Sequence, residues 1–169
     1  MKIRKTTLAA AFAATMFFVA CDKDDKKPTT ELSVHLTDNP YDATAVDVDI
    51  REVNVKVDGS DWISLPTHVG IYNLLDYQNG LDTLVCKGSI PAGRLQEVRF
   101  VLGSENSITI ADTKYPLTIP SGSESGLKLK IDRDLRPVSD SIVVDFDAAL
   151  SIFQEGTGDF KLKPVIKLK

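Results

Sequence analysis

From Glu31 onward, apolar and polar residues alternate with a period of two. Leu32, Val34 and Leu36 share one side, and Ser33, His35 and Thr37 the other, the pattern of a strand with one buried face. Asp38-Asn39-Pro40-Tyr41-Asp42 supplies the turn residues that end it. Val46, Val48 and Ile50 then alternate with Asp47, Asp49 and Arg51, but Val53, Val55 and Val57 fall on odd numbers. A strict period of two does not absorb that slip, so a bulge or bend is predicted at Arg51-Glu52. Asp58-Gly59 predicts a hairpin turn, with Trp62-Ile63-Ser64-Leu65 as the return strand. Gly70 to Tyr77 reads as a short strand ending in a turn at Asn79-Gly80. Further strands are predicted at 82–90, 95–103, 107–111, 114–119, 127–132, 140–147 and 159–168, the last interrupted by Pro164. About ten strands with no sustained helical period predict an all-β fold, an antiparallel two-sheet β-sandwich. One domain over 31–169 is long enough to bury a core without disulfides.

The first thirty residues depart from this pattern. Lys2, Arg4 and Lys5 precede a run from Leu8 to Ala20 in which only Thr15 is polar. That run is shorter than the roughly 20 residues a spanning helix needs, and 1–20 reads as a secretory signal peptide. Phe18-Val19-Ala20-Cys21 resembles the bacterial lipobox, in which a small residue precedes a cysteine that takes a diacylglycerol thioether and becomes the new N-terminus. Cys21 is therefore the predicted lipidation site, with palmitate-type chains as the membrane anchor. Residues 21–30, from Cys21 through Asp22-Lys23-Asp24-Asp25-Lys26-Lys27-Pro28-Thr29-Thr30, read as a solvated tether. Its acidic cluster resembles the surface-export signal of Bacteroidota lipoproteins. The expected location is the outer membrane, lipid-anchored and exposed at the cell surface, with the periplasmic face as the alternative.

Charge narrows the partners. All 24 acidic residues but only 17 of the 20 basic ones follow Ala20, leaving the processed chain at −7. An acidic body argues against nucleic acid, which is recognised through basic stripes. It also argues against adsorption to anionic headgroups, so contact with the membrane falls to the lipid. The other cysteine, Cys86, lies in the apolar context Leu84-Val85-Cys86 and reads as a small core residue.

Candidate chemistry is sparse. Gly122-Ser123-Glu124-Ser125-Gly126 places Glu where a nucleophile elbow needs Ser, and His35 and His68 are the only histidines. Those two and one thiol lack zinc spacing. No cofactor motif is present, and the chain reads as non-enzymatic. Asp38, Asp42, Asp47 and Asp49 near the first turn, with Asp145 and Asp147 on one late strand, are the calcium candidates, since hard cations take several oxygen ligands. The plainer reading has them solvated, paired with Arg51 or Arg99, or guarding an edge strand. Trp62, Tyr41 and Tyr72, with Tyr77 and Phe153, are candidates for a sugar-stacking surface, although Trp62 would equally pack over a sheet end. Asp82-Thr83-Leu84 and Asp140-Ser141-Ile142 resemble the Bacteroidota O-glycosylation acceptor, making Thr83 and Ser141 candidate modification sites.

Several motifs in order also resemble one family. They are Leu36-Thr37-Asp38-Asn39-Pro40-Tyr41-Asp42 with Val46 to Val57, then Ile90-Pro91-Ala92-Gly93-Arg94-Leu95-Gln96-Glu97-Val98-Arg99-Phe100. Pro120-Ser121-Gly122 through Gly126-Leu127-Lys128-Leu129, Asp145-Phe146-Asp147-Ala148-Ala149-Leu150-Ser151-Ile152 and Leu162-Lys163-Pro164-Val165-Ile166 follow. This order resembles the domain of unknown function 4382 family. The resemblance implies a secreted or lipid-anchored β-sandwich, transthyretin (prealbumin)-like, and no activity. The expected role is a binding module for an extracellular glycan or protein, with loops at the sandwich ends as the contact regions. The alternative is a structural or assembly subunit, pilin-like or scaffolding.

Overall fold

The computed structural model describes residues 28–38, 41–120, 126–156 and 159–169. Cys21, the leader and most of the tether lie outside them, as does most of the 122–126 segment. The strands are β1 (Thr29–Thr37), β2 (Ala45–Val57), β3 (Ile63–Leu65), β4 (Gly70–Asn73), β5 (Thr83–Pro91), β6 (Arg94–Leu102) and β7 (Ser107–Ile110). There follow β8 (Thr113–Thr118), β9 (Leu127–Asp134), β10 (Val138–Phe146), β11 (Ile152–Glu155), β12 (Asp159–Leu162) and β13 (Ile166–Leu168). The helical pieces are a 3₁₀ turn at Leu74–Tyr77 and α1 (Ala148–Ser151). Among the described residues no helix is long and apolar enough to cross a membrane.

The strands form the two sheets of an all-β sandwich. The smaller has the order β13-β10-β1-β5, and the larger runs β11-β12-β8-β7-β2-β6-β9 with β3 and β4 also paired to β2. Leu32, Val34 and Leu36 of β1 and Ile142, Val144 and Phe146 of β10 meet Val46, Val48, Val53, Val55, Val98 and Phe100 in one core cluster. The β2 bulge falls where the parity slip predicts it: Ile50 faces Leu102 and Glu52 faces Val101, leaving Arg51 as the extra residue. The bulge lets Val46, Val48 and Ile50 point into the same core as Val53, Val55 and Val57. At the hairpin, Asp58 (φ 47°) and Gly59 (φ 72°) adopt the paired left-handed conformations of a type I′ turn.

Pairing is not antiparallel throughout. β1 lies parallel to β10 over Thr30–Thr37 against Val138–Asp145, and β12 is parallel to β8. Turn residues in the sequence reveal only neighbouring antiparallel partners, whereas β1 and β10 meet from about a hundred residues apart. The strand read as 159–168 is divided at Pro164, with β12 in the large sheet and β13 in the small one. The Gly70–Tyr77 stretch becomes β4 and the 3₁₀ turn, and Asn79 (φ 57°) and Gly80 (φ 90°) form the turn after it.

The sandwich closes on two sides. On one, Thr67 bridges Cys86, while His68 N–H donates to Val85 O and Lys87 N–H to Pro66 O. Gly88 is required there, since a Cβ would lie 2.9 Å from Pro66 Cδ. Burial pushes the Cys86 thiol up to about 12, as suits an inert core residue. On the other side, Arg133 reaches from β9 to Asp140 of β10. The chain enters at one end of the sandwich, where Ala92 N–H donates to Pro28 O. At that end Asp58 Oδ1 accepts from Arg94 N–H, and its carboxylate fills the space a Cβ on Gly93 would need.

Candidate functional site

The end opposite Pro28 gathers most of the candidate calcium ligands, but in separate settings. Asp38, buried at the end of β1, accepts from Ala148 N–H at 2.9 Å. Asp147 caps α1 by accepting from Leu150 N–H. Lys167 Nζ stands 3.0 Å from Asp147 and 3.4 Å from Asp145, and these contacts, Asp147 foremost, hold its ammonium above the usual lysine value. Asp47 accepts from Ser107 Oγ and Lys114 Nζ. Asp49 takes Arg51 at 2.7 Å and the Glu105 N–H, and Asp42 is exposed on the loop. Among the described residues no three His, Cys, Asp or Glu side chains converge as a metal site. The calcium candidates lie in separate settings, and the Asp49–Arg51 pair follows the plainer reading. The reason is topological: Asp38 belongs to the small sheet and Asp47 and Asp49 to the large one, each with its own cation or N–H donors.

The aromatic candidates are also separated. Tyr72 packs against Tyr77, with ring centroids 6.4 Å apart, and its hydroxyl donates to His68 O. Tyr41 rests on the core, and Phe153 is 42% exposed on the edge strand β11. Trp62 alone lies among charged groups. One step beyond the Val55–Ile63 pair it stands across from Lys56, on the face of β2 opposite the buried valines. Arg99 Cζ of β6 lies over the indole at 4.6 Å, and Lys56 and Lys128 Nζ each approach to 6.0 Å.

The Arg99 guanidinium is held from below. With the Asn54 amide oxygen facing Arg99, the guanidinium donates to it at 3.1 Å, and the amide nitrogen donates to Glu52 at 3.0 Å. Ser64 Oγ donates to the same carboxylate at 2.8 Å. Register places Glu97 between Lys56 of β2 and Lys130 of β9, and Arg99 between Asn54 and Lys128. Lys56, Arg99 and Lys128 thus approach one indole from three strands, with Lys130 on the same sheet face beside Glu97. Sequence reading found Trp62 but missed the cations, of which Lys56 lies across the hairpin and Arg99, Lys128 and Lys130 come from two distant strands. The alternation of Lys128 and Lys130 with Leu129 was the available signal, since it puts both lysines on one face.

The two modification candidates differ. Thr83 is half-buried at the start of β5, while Ser141 is exposed on β10 across from Ser33. Ser141 borders a shallow polar cleft with Ser33, Lys87 and Arg136. Beside it the Asp140 side chain is 1% exposed and pairs with Arg133 and Arg136, each at 2.8 Å. Burial alone would push the Asp140 carboxyl up. The Arg136 and Ser141 N–H groups, the Arg136 side chain and the Arg133 charge together pull it down to about 2. Its folded value lies below the unfolded one near 4, so its stabilisation is present above about pH 4 and lost as pH falls toward 2. Asp140→Asn is expected to lower stability at pH 7 by about 2 kcal/mol and to flatten the decline between about pH 4 and 2. Urea unfolding at a series of pH values checks this.

Two comparisons find no counterpart: neither a curated protein nor a solved structure matches the chain. A family model described as "Domain of unknown function (DUF4382)" matches residues 29–164, the span from β1 through β12. The chain belongs to the domain of unknown function (DUF4382) family.

Proposed function

We propose that this domain is the non-enzymatic binding module of an outer-membrane lipoprotein, anchored through Cys21 and displayed at the cell surface to hold an extracellular glycan. The observation that carries this reading is the position of Trp62. The chain's one tryptophan is spent not on the core but on the outer face of a sheet, over Arg99. A partly exposed indole held beside a fixed guanidinium offers ring surface of the kind that stacks on the C–H face of a sugar ring. The basic start, short apolar run and Ala20-Cys21 junction support the anchor.

Strand donation, as in a pilin-like subunit, has less support. β1, the strand nearest the N-terminus, already fills an interior place between β10 and β5. The edge strand β13 is three residues long, has Lys167 at its centre and lies between Pro164 and Lys169, features that discourage edge pairing.

Two outcomes are expected. Cells fed an alkyne analogue of palmitate label the protein, and Cys21→Ser abolishes the label; a label that persists in the variant contradicts the anchor. On a glycan array, the detergent-solubilised full chain binds at least one glycan class, and Trp62→Ala weakens that binding about tenfold or more with the melting transition retained. Binding that is absent, or indifferent to Trp62, contradicts the module.

A further inference from the structure

We infer that the Trp62 face takes an acidic polysaccharide, a chain bearing carboxylate or sulfate groups, rather than a neutral one. This inference rests on the glycan-binding reading of the same face.

Charge is unevenly distributed over the domain. From residue 28 onward there are 21 acidic and 14 basic side chains. In so acidic a body, cations are expected to be taken up by neighbouring carboxylates. Arg51, Lys87, Arg94, Lys114, Arg133, Arg136, Lys161 and Lys167 are indeed ion-paired. Among the described residues, six cations have no carboxylate within ion-pair distance. Lys163 and Lys169 are two of them, and the other four are Lys56, Arg99, Lys128 and Lys130. The four share the sheet face that carries Trp62.

The two carboxylates on the same face do not cancel them. Glu52 is engaged by Asn54 and Ser64 and fixes the amide that orients Arg99. Glu97 lies between Lys56 and Lys130 in register but forms an ion pair with neither. The face therefore keeps a net positive charge, arranged around an apolar ring. That combination matches a sugar ring carrying an anionic substituent. The ring stacks on the indole while Arg99 and the lysines meet the carboxylate or sulfate, Arg99 with its orientation already set. The cations spread across β2, β6 and β9, at about 4.8 Å per strand, so successive anionic groups of an extended chain can be met in turn.

An anionic membrane surface shares part of this chemistry but fits less well. Asp58 and Asp61 precede Trp62 at the end where the chain enters, and Asp132 and Asp134 pair there with Arg94, whose N–H donates to Asp58. A bilayer approached from that end would meet these carboxylates before the cations.

Affinity electrophoresis tests the inference, using the detergent-solubilised full chain in gels containing polygalacturonate, chondroitin sulfate or neutral dextran. One or both acidic polymers are expected to retard the protein while dextran does not, and the choice between them separates carboxylate from sulfate. Lys128→Gln/Lys130→Gln should weaken retardation about tenfold. Glu97→Gln should strengthen it, a gain that mere structural damage would not produce, and Lys163→Gln, off the face, should leave it unchanged. Equal retardation by dextran overturns the acidic preference while glycan binding stands. Stronger binding to phosphatidylglycerol vesicles than to either polymer assigns the face to a membrane and overturns it too. No retardation by any polymer overturns it as well, and the glycan array then shows whether the module reading falls with it.

Discussion

The extra residue at Arg51 in β2 is the constraint on which the rest of the domain depends. β2 is the longest strand and pairs with β3, β4, β6 and β7. Without the bulge, one half of it would turn its valines to solvent. With it, six apolar side chains from Val46 to Val57 enter one core. The same step decides the other face, where Asn54 and Lys56 point outward into the register that receives Trp62, Arg99 and Lys128. Core and candidate binding face are thus two sides of one bulge.

Buried carboxylates serve as ties between strands that hydrophobic alternation alone would leave in loose register. Asp140 joins β10 to the β9 side through two arginines, and Asp49 holds the 103–106 loop that separates β6 from β7. Asp38, Asp145 and Asp147 gather near α1, where the chain crosses from the small sheet to the large one. Truncating a buried acid of this kind leaves the backbone N–H groups of Ala148, Leu150, Arg136 or Glu105 without their acceptor, which gives these residues a structural task. The Trp62 face is the converse, with cations left free of carboxylates above a packed sheet.

How much was legible depended on how local the interaction is. The bulge at Arg51, the Asp58-Gly59 turn and the break at Pro164 are written in neighbouring residues, and the structure has all three. The parallel β1–β10 pairing was not legible, because no turn connects the two strands. The setting of the aspartates is non-local for the same reason: nearness of Asp38 to Asp49 in sequence says nothing about which sheet each joins. Trp62 was legible as an aromatic after a hairpin, but its cations were not. Lys56, Arg99 and Lys128 become neighbours only through the registers of β2, β6 and β9. The family resemblance read from motif order agrees with the match over 29–164. The short α1 lacked any periodic signal, being four residues long.

The indole of Trp62 is partly exposed among cations that have no carboxylate within ion-pair distance. Because the chain has one tryptophan, its fluorescence reports that position alone. Collisional quenching by iodide and by caesium, compared at equal ionic strength, reads both accessibility and the sign of the local charge. The account predicts strong quenching by iodide and weak quenching by caesium, with the difference reduced by salt. An emission that neither ion quenches, or that caesium quenches as well as iodide, would contradict it.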